Sequence, residues 1–183
     1  MEQRYLILVD EQSQEDRLKR IARSLRNEGI LLVYEEINPN ECSVRKDNGD
    51  LSLDKVALEN KLASISFLSH LDVFATDYNL VTDELKGIDM IEMLYSLQPH
   101  YRKQVVIYSA QIDEVIDDII TKRAKGFKQQ VEMLKILAQT DIHYLSGEGE
   151  FENEFKSLIA KEPDITIDSR LIDSLHTLNC DNL

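Results

Sequence analysis

Three acidic side chains and a hydroxyl stand where apolar runs stop. YLILV (5–9) runs into Asp10 and Glu11, LDVFAT (71–76) runs into Asp77 with Asn79 two places on, and QVVIYSA (104–110) turns polar at Ser109. A carboxylate in such a place can cap a helix, form a turn, bind a metal or act as a nucleophile. Asp10 or Asp77 alone suits a cap. Taken in order with Ser109, they read better as a site. Carboxylates a few Å apart repel, and one of them holds a proton unless a cation sits among them. Carboxylates, a backbone carbonyl and waters are the ligands Mg²⁺ prefers. An aspartate can also attack phosphorus to give an aspartyl-phosphate, and a small hydroxyl such as Ser109 can hydrogen-bond an oxyanion bound there.

Those residues need strands to position them. The short apolar runs at 5–9, 30–37 (ILLVYEEI), 71–76 and 104–110 suit strands buried on both faces of a parallel sheet, with a weaker fifth at 141–146 (DIHYLS). Between them lie helical spacings. Leu18, Ile21, Ala22 and Leu25 form one set, closed by Asn27 and Gly29. Val56, Leu58, Leu62, Ile65 and Leu68 form another, with Ser52 as the expected cap, and a third opens at Gly87 and stops at Pro99. A long helical stretch follows from Ile112 to about Gln139, with Gly126 interrupting it. Residues 38–50 and the stretch after Asp77 read as surface loops. Strand–helix alternation predicts a doubly wound α/β sheet with right-handed crossovers. Ligands in such sheets bind beyond the carboxyl ends of the strands. With strand order 2-1-3-4-5, strands one and three are neighbours, and Asp10, Glu11 and Asp77 meet in one crevice.

Composition narrows the partners. The chain has 183 residues and a formal charge of −13, which argues against nucleic-acid binding because there is no basic face to neutralise phosphates. Cys42 and Cys180 have no CxxC spacing, so a reduced, cytoplasmic protein without a zinc site is the expectation. The amino terminus is too short an apolar run for a signal sequence or a membrane span. His70, His100, His143 and His176 are scattered and read as surface or core residues, and Tyr78 and Tyr108 as packing residues. Lys122, Arg123, Lys125 and Lys128 make a solvated helix face, or one that meets an acidic partner.

The segments LILVDEQ, FATDYNL, GIDMIEMLYSL and VVIYSA resemble, in order and rough spacing, the signature segments of response-regulator receiver domains. The resemblance covers roughly residues 4–160. It implies a flavodoxin-like five-stranded sheet, from which this chain departs by an extended helix after strand four and an extra carboxy-terminal helix. It also implies that Asp10 and Glu11 organise Mg²⁺, that Asp77 is the phosphoacceptor, that the Asn79 backbone carbonyl completes the metal site and that Ser109 engages the phosphoryl group. Receivers carry a lysine at the end of strand five, usually followed by proline; the matching place here reads HYLSGEG. Val81 stands where a proline is common, the loop after Asp77 is about two residues longer than usual, and no basic residue is an evident substitute for the lysine.

The expected organisation is a receiver-like domain over 1–162 and a helical extension over 163–183. The extension's apolar stripe of Ile167, Leu171, Ile172, Leu175 and Leu178 either folds back or docks on a partner or a second copy. The expected function is a signalling module of the phosphorelay or two-component type. It would accept a phosphoryl group from a sensor histidine kinase or phosphotransfer protein and act by protein–protein contact rather than as an enzyme. The alternatives are a pseudo-receiver adaptor that is never phosphorylated and, on the strength of Asp77-Tyr78-Asn79 alone, a Mg²⁺-dependent phosphohydrolase.

Overall fold

The apolar runs become parallel strands because each is long enough to cross a core and too short and β-branched for a helix. The computed structural model describes residues 1–45, 51–81, 85–101, 103–109, 115, 131, 135–136, 138, 140–144 and 150–161. In chain order they form β1 (Glu2–Val9), α1 (Glu15–Asn27), β2 (Ile30–Ile37), β3 (Ser43–Arg45), β4 (Leu51–Leu53), α2 (Lys55–Ala63), β5 (Val73–Asp77), β6 (Asn79–Val81), β7 (Leu85–Lys86), α3 (Gly87–Leu97), β8 (Gln104–Ser109), β9 (Thr140–Tyr144) and α4 (Glu150–Ala160). Short 3-10 turns lie at Pro39–Cys42 and Leu68–His70.

The main sheet runs β2-β1-β5-β8-β9, all parallel, which is the expected order 2-1-3-4-5. Side-chain alternation splits its core in two. Ile7, Val9, Phe74, Val105 and Ile107 pack with Leu58 and Leu62 of α2 and Ile88, Ile91 and Leu94 of α3. Leu6, Leu8, Val73, Ala75 and Val106 pack with Leu18, Ile21 and Leu25 of α1 and Phe151, Phe155 and Ile159 of α4. Helices thus cover both faces, the doubly wound arrangement. Gly29, with φ +85, takes the left-handed conformation that turns the end of α1 into β2.

The amino ends of the strands are closed by Asp72, which precedes β5 and is only 8% exposed. Its carboxylate accepts from the Tyr5 backbone N–H at 2.8 Å and the Lys103 ammonium at 2.8 Å, with the Arg4 guanidinium at 3.8 Å. Its carbonyl accepts from the Tyr101 hydroxyl at 3.1 Å.

Two short hairpins replace expected loops. β3 pairs antiparallel with β4, and β6 with β7. The first moves a cap: Ser52 lies inside β4, and Asp54 caps α2 instead, its Oδ1 accepting from the backbone N–H groups of Val56 and Ala57 at 3.0 Å each. Tyr108 is more than packing, as described below. The stretch after β8 is described only at isolated helical positions, among them the buried Val115 and Val131. The rest of that extended helix, the boundary at 162, the helix expected over 167–178, and the Lys122 to Lys128 cluster lie outside the described residues. No helix of the described residues is long and apolar enough to cross a membrane.

Candidate functional site at the strand ends

Register brings the acidic residues together. Val9 pairs with Thr76 across β1 and β5, so Asp10 and Asp77 follow at matching positions on adjacent strands. Asp77 in turn pairs with Tyr108 of β8. Asp10 is held from several sides. Its backbone N–H donates to the Ile37 carbonyl at 3.1 Å. Oδ1 accepts from the Gln12 N–H at 2.8 Å, while Oδ2 accepts from the Gln14 side-chain amide at 3.0 Å and the Tyr108 hydroxyl at 2.7 Å. Burial pushes its carboxyl up, and these three hydrogen bonds, with Arg17 nearby, pull it back.

Asp77 has less support. Its Oδ1 accepts from the Asn79 N–H at 3.3 Å, and the Tyr78 N–H also favours its charged form. Burial first, then the neighbouring Asp10 and more weakly Glu11, raise its carboxyl from the ordinary 3.8 to about 7. Burial is the larger cause, and the crowding of the carboxylates adds to it.

Mg²⁺ is implied by the receiver resemblance, and the donor chemistry fits it. Asp10 and Asp77 put two carboxylates side by side, and Mg²⁺ usually takes one or two carboxylates and keeps several waters. Among the described residues no three His, Cys, Asp or Glu side chains are grouped closely enough to hold a metal ion, so Glu11 acts on Asp77 through its field and does not complete a cluster. The Glu11 carbonyl accepts from the Asn38 side chain at 3.0 Å. Ser109 is buried at the end of β8, one residue beyond Tyr108 and level with Tyr144 of β9.

Two residues were missed. Tyr108 reaches across the central strand to Asp10, and its ring meets Phe151 and Phe155 of α4 edge-on, each at 5.6 Å. A strand reading assigns it to packing, because the register that aims its hydroxyl is not written in one segment. Lys86 is the second: its ammonium donates to Asn79 Oδ1 at 3.0 Å and lies 5.7 Å from the centre of the Tyr78 ring. Its signal would have been the β6–β7 hairpin, whose strands are too short to show periodicity.

Tyr108→Phe keeps the ring packing and removes a buried donor to a carboxylate. It is expected to cost about 1.5–3 kcal/mol in urea unfolding at neutral pH and to push the Asp10 carboxyl further up.

No family model matches the chain, and no curated protein matches it. Among solved structures it is similar to the chemotaxis protein CheY4 of Vibrio cholerae, at 11% identity over 86% of this chain and 98% of that one, with a TM-score of 0.44. A structure described as a transiently phosphorylated switch in bacterial signal transduction is 18% identical over 95% and 98%, with a TM-score of 0.42. DJ-1beta of Drosophila melanogaster is 14% identical over the whole of both chains, with a TM-score of 0.33. Likenesses at this level transfer no chemistry, and the fold rests on the strand order.

Proposed function

We propose that this chain is a receiver-like signalling module in which Asp77 accepts a phosphoryl group. The observation that carries the reading is the placement of Asp77 beside Asp10 at the carboxyl ends of the two adjacent central strands, with its carboxyl raised by burial and, second, by that neighbour. An oxygen of the Asp77 carboxylate bonds to phosphorus as the bond from phosphorus to the donor's leaving atom breaks. The leaving atom keeps the electron pair and takes a proton from solvent.

Asp10, Asp77 and the Asn79 carbonyl are the groups that would hold Mg²⁺, with Glu11 adding to the field. When bound, the ion supplies charge neutralisation between the carboxylates and the incoming phosphoryl oxygens. Asp10 is kept in place by Tyr108, Gln14 and Gln12. Ser109 is assigned the hydrogen bond to a phosphoryl oxygen. The donor is a phosphohistidine of a sensor kinase or phosphotransfer protein, and the output is a protein–protein contact, for which the carboxy-terminal segment is the candidate surface.

Incubation with acetyl phosphate or phosphoramidate and Mg²⁺ is expected to label the wild type and to leave Asp77→Asn unlabelled, with any labelling elsewhere unchanged. Absence of wild-type labelling overturns the reading. One observation favours an alternative, a pseudo-receiver adaptor: the Asp10 oxygens are already satisfied by protein donors, as a purely structural carboxylate's would be.

A further inference from the structure

The charges that dominate the surroundings of Asp77 are the carboxylates Asp10 and Glu11, and a phosphoryl group adds a dianion to them. Such a group forms readily only where a cation meets the developing charge. The described cations near the sheet are mostly committed elsewhere. Lys103 and Arg4 serve Asp72 at the opposite end of the strands. Arg17 donates to the Gln14 side chain at 3.2 Å, lies over the Phe151 ring and acts on Asp10 from the α1 side.

Lys86 is different. It is the Cα partner of Asn79 across the β6–β7 hairpin, the chain segment that leaves the acceptor. Its ammonium is bound to Asn79 Oδ1, and the N–H of that same Asn79 donates to Asp77 Oδ1. One amide residue therefore separates the ammonium from the acceptor carboxylate. Its stem is fixed at the root, since the Lys86 backbone N–H donates to Asp89 Oδ2 at 2.7 Å and α3 begins at the next residue. The next residue, Gly87, lies against the Asp77 carbonyl, so the root of the lysine and the acceptor backbone are in contact through one residue. The Asn79 contact is a neutral acceptor for a cation that is partly buried, and a phosphoryl oxygen is a stronger one.

We propose that Lys86 is the cation that meets the phosphoryl group on Asp77, moving from Asn79 Oδ1 to a phosphoryl oxygen. This rests on Asp77 being the acceptor. It assigns the positive charge of the site to the hairpin after β5.

The test uses the full chain with acetyl phosphate and Mg²⁺, following the rate of labelling and the half-life of the product in wild type, Lys86→Arg and Lys86→Met. Lys86→Met, which keeps an unbranched side chain without the charge, is expected to label about 10- to 100-fold more slowly. Lys86→Arg is expected to stay within about threefold of wild type, and only the two charged forms should slow as salt is raised. A wild-type rate in Lys86→Met overturns the proposal. So does an equal loss in both variants when their thermal melts match wild type, because that assigns Lys86 a role in the hairpin rather than a charge at the phosphorus. Failure of wild type to label removes the acceptor reading as well, whereas labelling indifferent to Lys86 removes this proposal alone. If Lys86→Met does not fold, Lys86→Gln takes its place, with the same outcomes.

Discussion

Asp77→Asn is expected to make the metal-free protein more stable at pH 8 while changing little at pH 4. The native carboxyl titrates at about 7 against an ordinary 3.8, so between those values the folded chain holds a proton that the unfolded chain releases. The folded state then binds more protons, and stability falls as pH rises. The contribution of Asp77 is fully present below about pH 3.8 and is lost by the time pH passes 7. A rise of that size in a fully buried carboxyl would correspond to about 4 kcal/mol, and partial exposure at the rim of the sheet reduces this to something on the order of 2 kcal/mol. Urea unfolding in EDTA at several pH values should show that decline in wild type and a flatter profile in Asp77→Asn. Parallel profiles would mean that Asp77 titrates normally. Added Mg²⁺ should restore wild-type stability at pH 8 by mass action and do much less for the asparagine variant.

Gly87→Ala is expected to damage stability and labelling together. A Cβ at Gly87 would lie 2.5 Å from the Asp77 carbonyl oxygen, 3.1 Å from Thr76 Cγ2 and 3.1 Å from Tyr78 Cα. Two of these neighbours are backbone, and the Gly87 N–H is bonded to the Tyr78 carbonyl at 2.8 Å, so no side chain can simply swing aside. Either α3 backs away or the acceptor strand shifts. Such overpacking costs about 2–3 kcal/mol, which lowers the melting temperature by about 5–10 °C in a chain of this size. Displacing Asp77 by even about 1 Å is expected to slow its labelling roughly 100-fold. A variant that melts like wild type and labels at the wild-type rate would contradict the close approach. Lost stability with normal labelling would show that α3 alone yields.

Much of the fold was legible because apolar runs and helical spacings are local signals. YLILV, ILLVYEEI, LDVFAT and QVVIYSA fell on β1, β2, β5 and β8, and the Leu18, Ile21, Leu25 stripe on α1. The adjacency of Asp10 and Asp77 also followed, since strand order makes β1 and β5 neighbours and both apolar runs end at the same level of the sheet. What escaped depends on pairing between segments. Ser52 looks as good a cap as Asp54 until Leu51–Leu53 pairs with Ser43–Arg45 and takes Ser52 into a strand. Tyr108 is indistinguishable from a packing aromatic until the β1–β5–β8 register sets its hydroxyl against Asp10. Lys86, nine places after Asp77, comes back to it only because Asn79–Val81 folds against Leu85–Lys86.

The Asp72 cluster has a bearing on the order in which the chain assembles. Its partners Tyr5 and Lys103 lie 67 residues before it and 31 after it, so none of its bonds is local. Both crossovers, from β1 out to β5 and from β5 out to β8, must be complete before the carboxylate holds partners on both sides. Contacts of that span form after the loops that close them, once their entropy has been spent on the packed strands. Asp72 thus fastens a sheet that already exists and slows its opening without hastening its formation. The end of the sheet where Asp10 and Asp77 crowd each other is thus not the end that secures the lifetime of the folded state.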